Sequence, residues 1–517
     1  WSDRRQSFAR RADAAMISAA VIEPVTAPAD HGAELKRGAL TNTIALLASN
    51  FRGVFTFLVA RLLGPAILGA FLVAWNTVEL LSKFSLFGIE NTLIAFIARA
   101  EAAGDHARSH AFHRLAVFLA LTQSSLVAFI AFFAIRIFGE RLGFERRLIA
   151  PLSIMIFSLP GMALYAANTA VSRGMKVMRH DIFSRGLTES TVTSVIFLIT
   201  LLLGARTFGP AYAAVAGTSA SGIVAFFLAR SLFRRVALPK QFHYRAEAKR
   251  LLGYAANISI YEVLNAFIVR LDVIMLAGFV GRAPGVTLPA VGIYGAVVEV
   301  AGGLRKVNQA FNPIFAPVVA GLTIDGKQDR AAAEFGRVAQ WMLWVLVPLL
   351  AVMIFAGGTI LSIYGSAFRQ GWTWLVIVAI ACGTNAFVGL AETVIMVQKP
   401  RLNVWNSAIT CVIAVVANLF LIHTFGVMGA AFGILLPYML LGILRRRALR
   451  KVFKWRNPWA GISPPFIGAL FALPLAIISR LTIHGMFGEI TSAAIFLGVY
   501  FVAWRYHRAR AMSATDG

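Results

Sequence analysis

The stretch VLNAFIVRLDVIMLAG, residues 263–278, decides the fold class. It is an apolar run suited to lipid, yet Arg270 and Asp272 stand near its middle. An ionised side chain at a bilayer centre costs about 3 kcal/mol on insertion scales, so such residues usually face a protein interior or a wet cavity. The run therefore reads as a membrane helix with a functional face.

Outward from it, the same apolar pattern repeats along the chain. The 517 residues are 58% hydrophobic, with a mean hydropathy of +0.74, and runs of about twenty apolar residues recur at the length that spans a bilayer. An all-α, polytopic membrane protein with fourteen helices is expected. The first pair falls at 40–63 and 66–88, helix 5 at 187–204, helix 7 at 252–280, helix 8 at 290–317, and helices 11 and 12 at 403–423 and 427–444.

A formal charge of +26 would suit a nucleic-acid binder, but the positions of the 49 Lys and Arg residues argue against one. With the N-terminus cytoplasmic, 35 fall in inner segments, 9 in outer loops and 5 inside helices. That is the positive-inside pattern, and it also favours anionic lipid headgroups. The outer loop IRIFGERLGFERR departs from it, holding Arg136, Arg141, Arg146 and Arg147. Cys382 and Cys411 both sit in expected helices and read as packing residues. Residues 1–39 are expected to be a disordered, basic cytoplasmic tail, broken by Pro24 and Pro28 and lacking the apolar core of a secretory signal. Its first residue is Trp1, so the original start is expected upstream.

An offset of 217 residues superimposes Ala60-Arg-Leu-Leu-Gly64 on Ala277-Gly-Phe-Val-Gly281. It also superimposes Thr207-Phe-Gly-Pro-Ala-Tyr-Ala-Ala214 on Thr424-Phe-Gly-Val-Met-Gly-Ala-Ala431. Two matches at one offset indicate a duplicated six-helix bundle, with its copies related by an axis along the membrane normal. The expected organisation is an N-lobe over 40–229, a basic cytoplasmic linker over 230–251 and a C-lobe over 252–444. A basic cytoplasmic loop over 445–461, helices 13 and 14 over 462–504 and a cytoplasmic tail over 505–517 complete it.

Membrane charge is concentrated in the first two helices of each copy. Helix 1 carries Arg52, helix 2 Glu79, Lys83 and Glu90, helix 7 Glu262, Arg270 and Asp272, and helix 8 Glu299, Arg305 and Lys306. Glu392 and Glu189 are the main exceptions. Glu79, Lys83 and Glu90 fall within about 40° of one another at 100° per residue, giving helix 2 one charged face, whereas Arg270 and Asp272 diverge by about 200°. Gly302 and Gly303 weaken helix 8 where a bend is expected. A cavity between the lobes is expected, amphoteric because five cations face five anions. His106, His110 and His113 share a spacing that suits a metal, but an interfacial basic loop is the simpler reading. No P-loop signature appears, so an ATP-driven pump would need a separate subunit.

FLVARLLGPAILGAF, VRLDVIMLAGFVG, VGIYGAVVEVAGGLRKVNQAFNPIFAPVVAG and TFGVMGAAFGILLPYML together resemble the polysaccharide-transporter branch of the multidrug/oligosaccharidyl-lipid/polysaccharide (MOP) exporter superfamily, notably the Wzx-type flippases. The resemblance spans approximately Leu40 to Lys451. It implies a two-lobed, V-shaped bundle alternating between inward-open and outward-open states, with an undecaprenyl-pyrophosphate-linked oligosaccharide as cargo for O-antigen or exopolysaccharide export. It also implies the bacterial inner membrane, cytoplasmic termini, membrane lipids as partners, and a neighbouring polymerase and chain-length machinery. In the related peptidoglycan-precursor flippases two extra helices form a groove for the lipid tail, and helix 1 is richer in arginine than SNFRGVFTFLVAR. Arg52 and Arg270 match positions of cavity cations, each roughly 16 to 18 Å from its helix end at 1.5 Å per residue and so near the midplane.

On this reading Arg52, Lys83, Arg270, Arg305 and Lys306 are candidates for binding substrate, and Glu79, Glu262, Asp272 and Glu299 for coupling or gating. Neither a cofactor nor a metal is expected. Coupling to protons or sodium is. The rivals are a multidrug or organic-cation antiporter of the same superfamily, a scaffold for glycan assembly, and a glycan polymerase or ligase. The last would carry catalytic Arg and His residues on a large outer loop, and this chain has none, so no enzyme is expected.

Overall fold

The computed structural model describes residues 51–513, apart from 142, 325–327, 456–458 and 460. The tail expected over 1–39, the start of helix 1 and residues 514–517 lie outside them. Every regular element among the described residues is helical, with no strand. In chain order the helices are α1 (Phe51–Leu86), α2 (Ile89–Ala102), α3 (His106–Phe138), α4 (Arg146–Gly174), α5 (Arg179–Leu202), α6 (Gly209–Leu232) and α7 (Tyr244–Gly278). They continue as α8 (Leu288–Gly302), α9 (Arg305–Ile324), α10 (Gln328–Phe355), α11 (Gly357–Tyr364), α12 (Trp372–Gln398), α13 (Pro400–Lys451), α14 (Ser463–Thr482) and α15 (Gly485–Ser513).

Two of these are hairpins rather than rods. In α1, Gly64 adopts φ 80° and is followed by Pro65. The rings of Phe55 and Phe71 then meet at 5.2 Å, where a straight helix would separate the two residues by about 24 Å. In α13, Gly426 adopts φ 58°, and Asn418 Nδ2 donates to the Gly433 carbonyl at 3.2 Å across what would be about 22 Å of straight helix. Glycine reaches this left-handed region without the Cβ penalty of other residues. Both reversals lie in the gaps expected between helices 1 and 2 and between helices 11 and 12. Gly281, the counterpart of Gly64 at the 217-residue offset, also has a positive φ of 71°.

Eleven helices among the described residues are long and apolar enough to cross a membrane. α7 stands outside that count, and Glu262, Arg270 and Asp272 punctuate its apolar run. With the hairpin arms taken separately and α7 added, the helices follow the fourteen expected from the sequence, the first described only from Phe51. Several boundaries differ. α3 begins at His106, so the three histidines expected in an interfacial loop are helical. α5 begins at Arg179, well before residue 187, and α7 begins at Tyr244, so 244–251 of the expected linker are helical. α13 runs on to Lys451, taking in 445–451 of the expected basic loop, and α15 runs to Ser513, taking in 505–513 of the expected tail. The bend at Gly302 and Gly303 is present, separating α8 from α9.

Two compact units divide between Gly295 and Ala296, inside α8. In the first, α6 packs on α4 and α5, and α7 packs on α1 and α2. A Cβ at Gly292 would lie 1.8 Å from the Pro65 carbonyl oxygen, and one at Gly69 would lie 2.6 Å from that of Leu288. Small residues thus let α1 and α8 meet backbone to backbone, a common device in membrane bundles. In the second unit, α12 packs along α13, and α10 packs on α12, α14 and α15. Glu489 in α15 accepts from Thr359 N at 2.6 Å, Thr359 Oγ1 at 2.7 Å, Arg369 Nη2 at 2.7 Å and Arg480 Nη2 at 3.3 Å, which fastens α15 to α11. Phe118, Leu202, Phe420 and Phe471 remain largely open on the surface, as apolar side chains do where the solvent is lipid.

Candidate functional site

A cavity of about 200 Å³ lies within the first unit. α1 contributes Glu79, Ser82, Lys83 and Leu86 to its wall, α2 Glu90, and α4 Met162, Tyr165, Ala166 and Arg173. α5 adds Asp181, Arg185 and Glu189, α6 Thr218, and α7 Arg270. Glu79, Glu90, Asp181 and Glu189 oppose Lys83, Arg173, Arg185 and Arg270, so the wall is charge-balanced. A buried ion is tolerated only when paired or hydrated, and this cavity offers both.

The four cations are held to different degrees. Arg270 forms an ion pair with Glu79 and donates from Nη1 to Asn76 Oδ1 at 2.8 Å. Arg173 Nη2 meets Glu90 Oε1 at 2.5 Å. Lys83 Nζ stands 3.8 Å from Glu262 Oε2, a carboxylate that also accepts from Asn91. Arg185 Nε is 3.9 Å from Glu189 Oε2, and its guanidinium carbon lies 5.5 Å from the centroid of the Tyr165 ring. The Tyr165 hydroxyl donates to Asp181. Arg185 sits on a π-helical stretch, Ile182–Glu189, in which Thr188 Oγ1 donates to the Phe183 carbonyl at 2.9 Å.

The structure brings together Glu79, Lys83, Glu90 and Arg270 as candidate site residues, with Glu262 joined through Lys83. The divergence of Arg270 and Asp272 is realised. Asp272 points elsewhere, is 2% exposed and accepts from the Tyr294 hydroxyl at 2.8 Å. Glu299, Arg305 and Lys306 belong to the second unit and do not line this cavity. Each is half-buried, and Arg305 has Cys382, Tyr438 and Glu299 as electrostatic neighbours. Arg52 lies in the first turn of α1, and its side chain falls outside the described residues.

Arg173, Asp181 and Arg185 escape the sequence reading because positive-inside topology already accounts for basic residues before helix 5. The i,i+4 spacing of Arg185 and Glu189 is the one signal that would have placed the pair on a helix. The three histidines diverge. His106 Nδ1 contacts Glu101 at 2.7 Å, His110 Nδ1 the Val236 carbonyl at 2.8 Å, and His113 Nε2 Asn168 Oδ1 at 2.7 Å.

The sequence profile of a family described as "Polysaccharide biosynthesis protein" matches residues 35–319, more than half of the chain. No curated protein sequence matches. Among solved structures, an inward-facing multidrug resistance transporter of the MATE family, of the MOP superfamily, is similar with a TM-score of 0.65 at 13% identity, over 80% of this chain and 94% of that one. The lipid II flippase MurJ in an inward closed conformation is similar with a TM-score of 0.64 at 11% identity, over 92% of this chain and 100% of that one. A eukaryotic MATE transporter, AtDTX14, gives 0.62 at 10% identity, over 82% and 97%. These likenesses establish the fold, and the family match carries the assignment further: the chain belongs to the polysaccharide biosynthesis protein family.

Proposed function

We propose that the protein is a flippase that moves a polyprenyl-pyrophosphate-linked oligosaccharide across the bacterial inner membrane by alternating access, for export of a surface polysaccharide. The observation that carries this reading is the buried, charge-balanced cavity of the first unit. A diphosphate crossing lipid needs compensating cations and hydrogen-bond donors, a glycan needs a polar path, and a polyprenyl tail can stay in the bilayer. Arginine suits the phosphate because its planar fork bonds oxygens two at a time.

The cavity volume of about 200 Å³ is below the ~300–1,000 Å³ of pockets that hold a drug-sized ligand. It suits a diphosphate or a single sugar unit, so a whole oligosaccharide requires a more open state. Asp272 and Glu79 are assigned to coupling with protons or sodium. Transport with unchanged ion dependence in Asp272→Asn would remove Asp272 from that role. Cytoplasmic termini, a polysaccharide polymerase as neighbour, and O-antigen or exopolysaccharide as product belong to the same reading.

Deletion of the gene is the test. Undecaprenyl-pyrophosphate-linked glycan should accumulate on the cytoplasmic leaflet, and an unchanged leaflet distribution would refute the proposal. A second reading, an organic-cation antiporter, draws support from the four carboxylates of the cavity. It predicts instead that the deletion raises sensitivity to cationic dyes and leaves glycan lipids in place.

A further inference from the structure

We propose that Arg185, carried on the π-helical turn of α5, is the cargo-contacting cation of the cavity and receives a diphosphate group. The inference rests on the cavity being the path of a diphosphate-bearing headgroup, and it names the residue that meets the charge.

Four acids balance four bases around the cavity, so a diphosphate is not drawn in by net charge. What can hold it is a cation whose donors are still unspent. Arg270 and Arg173 fail this criterion. Each is locked to a carboxylate, and their side chains are only 22% and 28% open. They position the wall.

Arg185 is different in three respects. Its nearest carboxylate oxygen is 3.9 Å away, beyond hydrogen-bond reach, and it donates no hydrogen bond among the described residues. Its side chain is 46% open while lining the cavity. The Tyr165 ring, held by Asp181, supports the guanidinium. An arginine resting on an aromatic face keeps its in-plane N–H fork free for two phosphate oxygens. The backbone adds an independent observation. Eight residues of π-helix, Ile182–Glu189, are rare and recur at functional sites, and here they carry Arg185. The i,i+4 contact to Glu189 is loose enough to yield when a phosphate arrives. Lys83, at 3.8 Å from its partner, is the secondary contact, a point charge without a fork.

The test uses undecaprenyl pyrophosphate and undecaprenol as probes on the full-length protein in detergent. Wild type should prefer the diphosphate, and Arg185→Gln should lose about ten- to a hundredfold of that preference. Arg185→Lys should lose less, since the charge remains. In wild-type protein, modification of Arg185 by p-hydroxyphenylglyoxal, read by peptide mass spectrometry, should slow with undecaprenyl pyrophosphate and not with undecaprenol. Protection by inorganic pyrophosphate as well would keep the assignment and identify a soluble diphosphate as a second source of the same chemistry. Full preference in Arg185→Gln, or equal labelling of Arg185 with the diphosphate bound, overturns the inference alone. A wild-type protein that binds both lipids equally instead overturns the flippase reading beneath it.

Discussion

Charge is buried in both units, but in opposite settings. In the second unit Arg445 is 1% exposed, meeting Glu392 at 2.7 Å and the Val388 carbonyl at 3.4 Å. Glu489, 3% exposed, collects donors from Thr359, Arg369 and Arg480. Both carboxylates are met by donors there and both terminal nitrogens of Arg445 are spent, only its Nε being left without an acceptor. In the first unit Lys83, Arg173, Arg185 and Arg270 surround open volume with Glu79, Glu90, Asp181 and Glu189, and two of the cations are loosely held. The lesson is that buried charge does not by itself mark a binding site. Sealed pairs hold helices together, whereas an ion facing volume with donors to spare can meet a ligand.

That contrast can be broken by mutation. Arg445→Ala leaves Glu392 without its guanidinium and should cost about 3–5 kcal/mol of stability, measured by denaturant unfolding in detergent; a loss comparable to that of a surface change would erase the distinction. Glu489→Gln weakens charge-assisted contacts and should cost about 1.5–3 kcal/mol, with faster hydrogen exchange in α15. Gly292→Ala forces a methyl group against the Pro65 carbonyl and should cost about 1–3 kcal/mol, and a neutral result would mean that α1 and α8 have room to part. Arg185→Gln should cost only about 0.5–1 kcal/mol, because it gives up the loose Glu189 contact and the Tyr165 ring but no hydrogen bond. A large loss there would reclassify Arg185 with the sealed pairs.

Much of the fold is legible in the sequence, because lipid imposes one simple demand, a run of apolar residues, on every span. The reversals at Gly64 and Gly426 and the break at Gly302 stand out as glycine-bearing interruptions of such runs. The charged character of α7 is equally plain from Glu262, Arg270 and Asp272. The cavity is only half legible. Glu79, Lys83 and Glu90 announce themselves as charges on one helix face, but Arg173, Asp181 and Arg185 sit where a topogenic loop would also place charge. A basic residue at the membrane edge has the same local sequence whether it faces cytoplasm or cavity. Arg445 fails for the same reason, since it opens the basic run of 445–461 and yet is buried. Partner choice is the other hidden quantity. Arg270 finds Glu79 and Asn76 on α1, nearly two hundred residues away, and periodicity carries no information about that pairing.

The most direct test of the central claim is headgroup translocation in proteoliposomes. Purified protein is reconstituted with a fluorescently labelled undecaprenyl-pyrophosphate-linked oligosaccharide, and arrival of the label at the opposite leaflet is followed by its accessibility to a membrane-impermeant quencher. The account predicts protein-dependent movement of this lipid, lost in the Lys83→Gln, Arg185→Gln double variant at matched amounts of folded protein. Protein-dependent uptake of a cationic dye, with the glycan lipid remaining in its original leaflet, would contradict it.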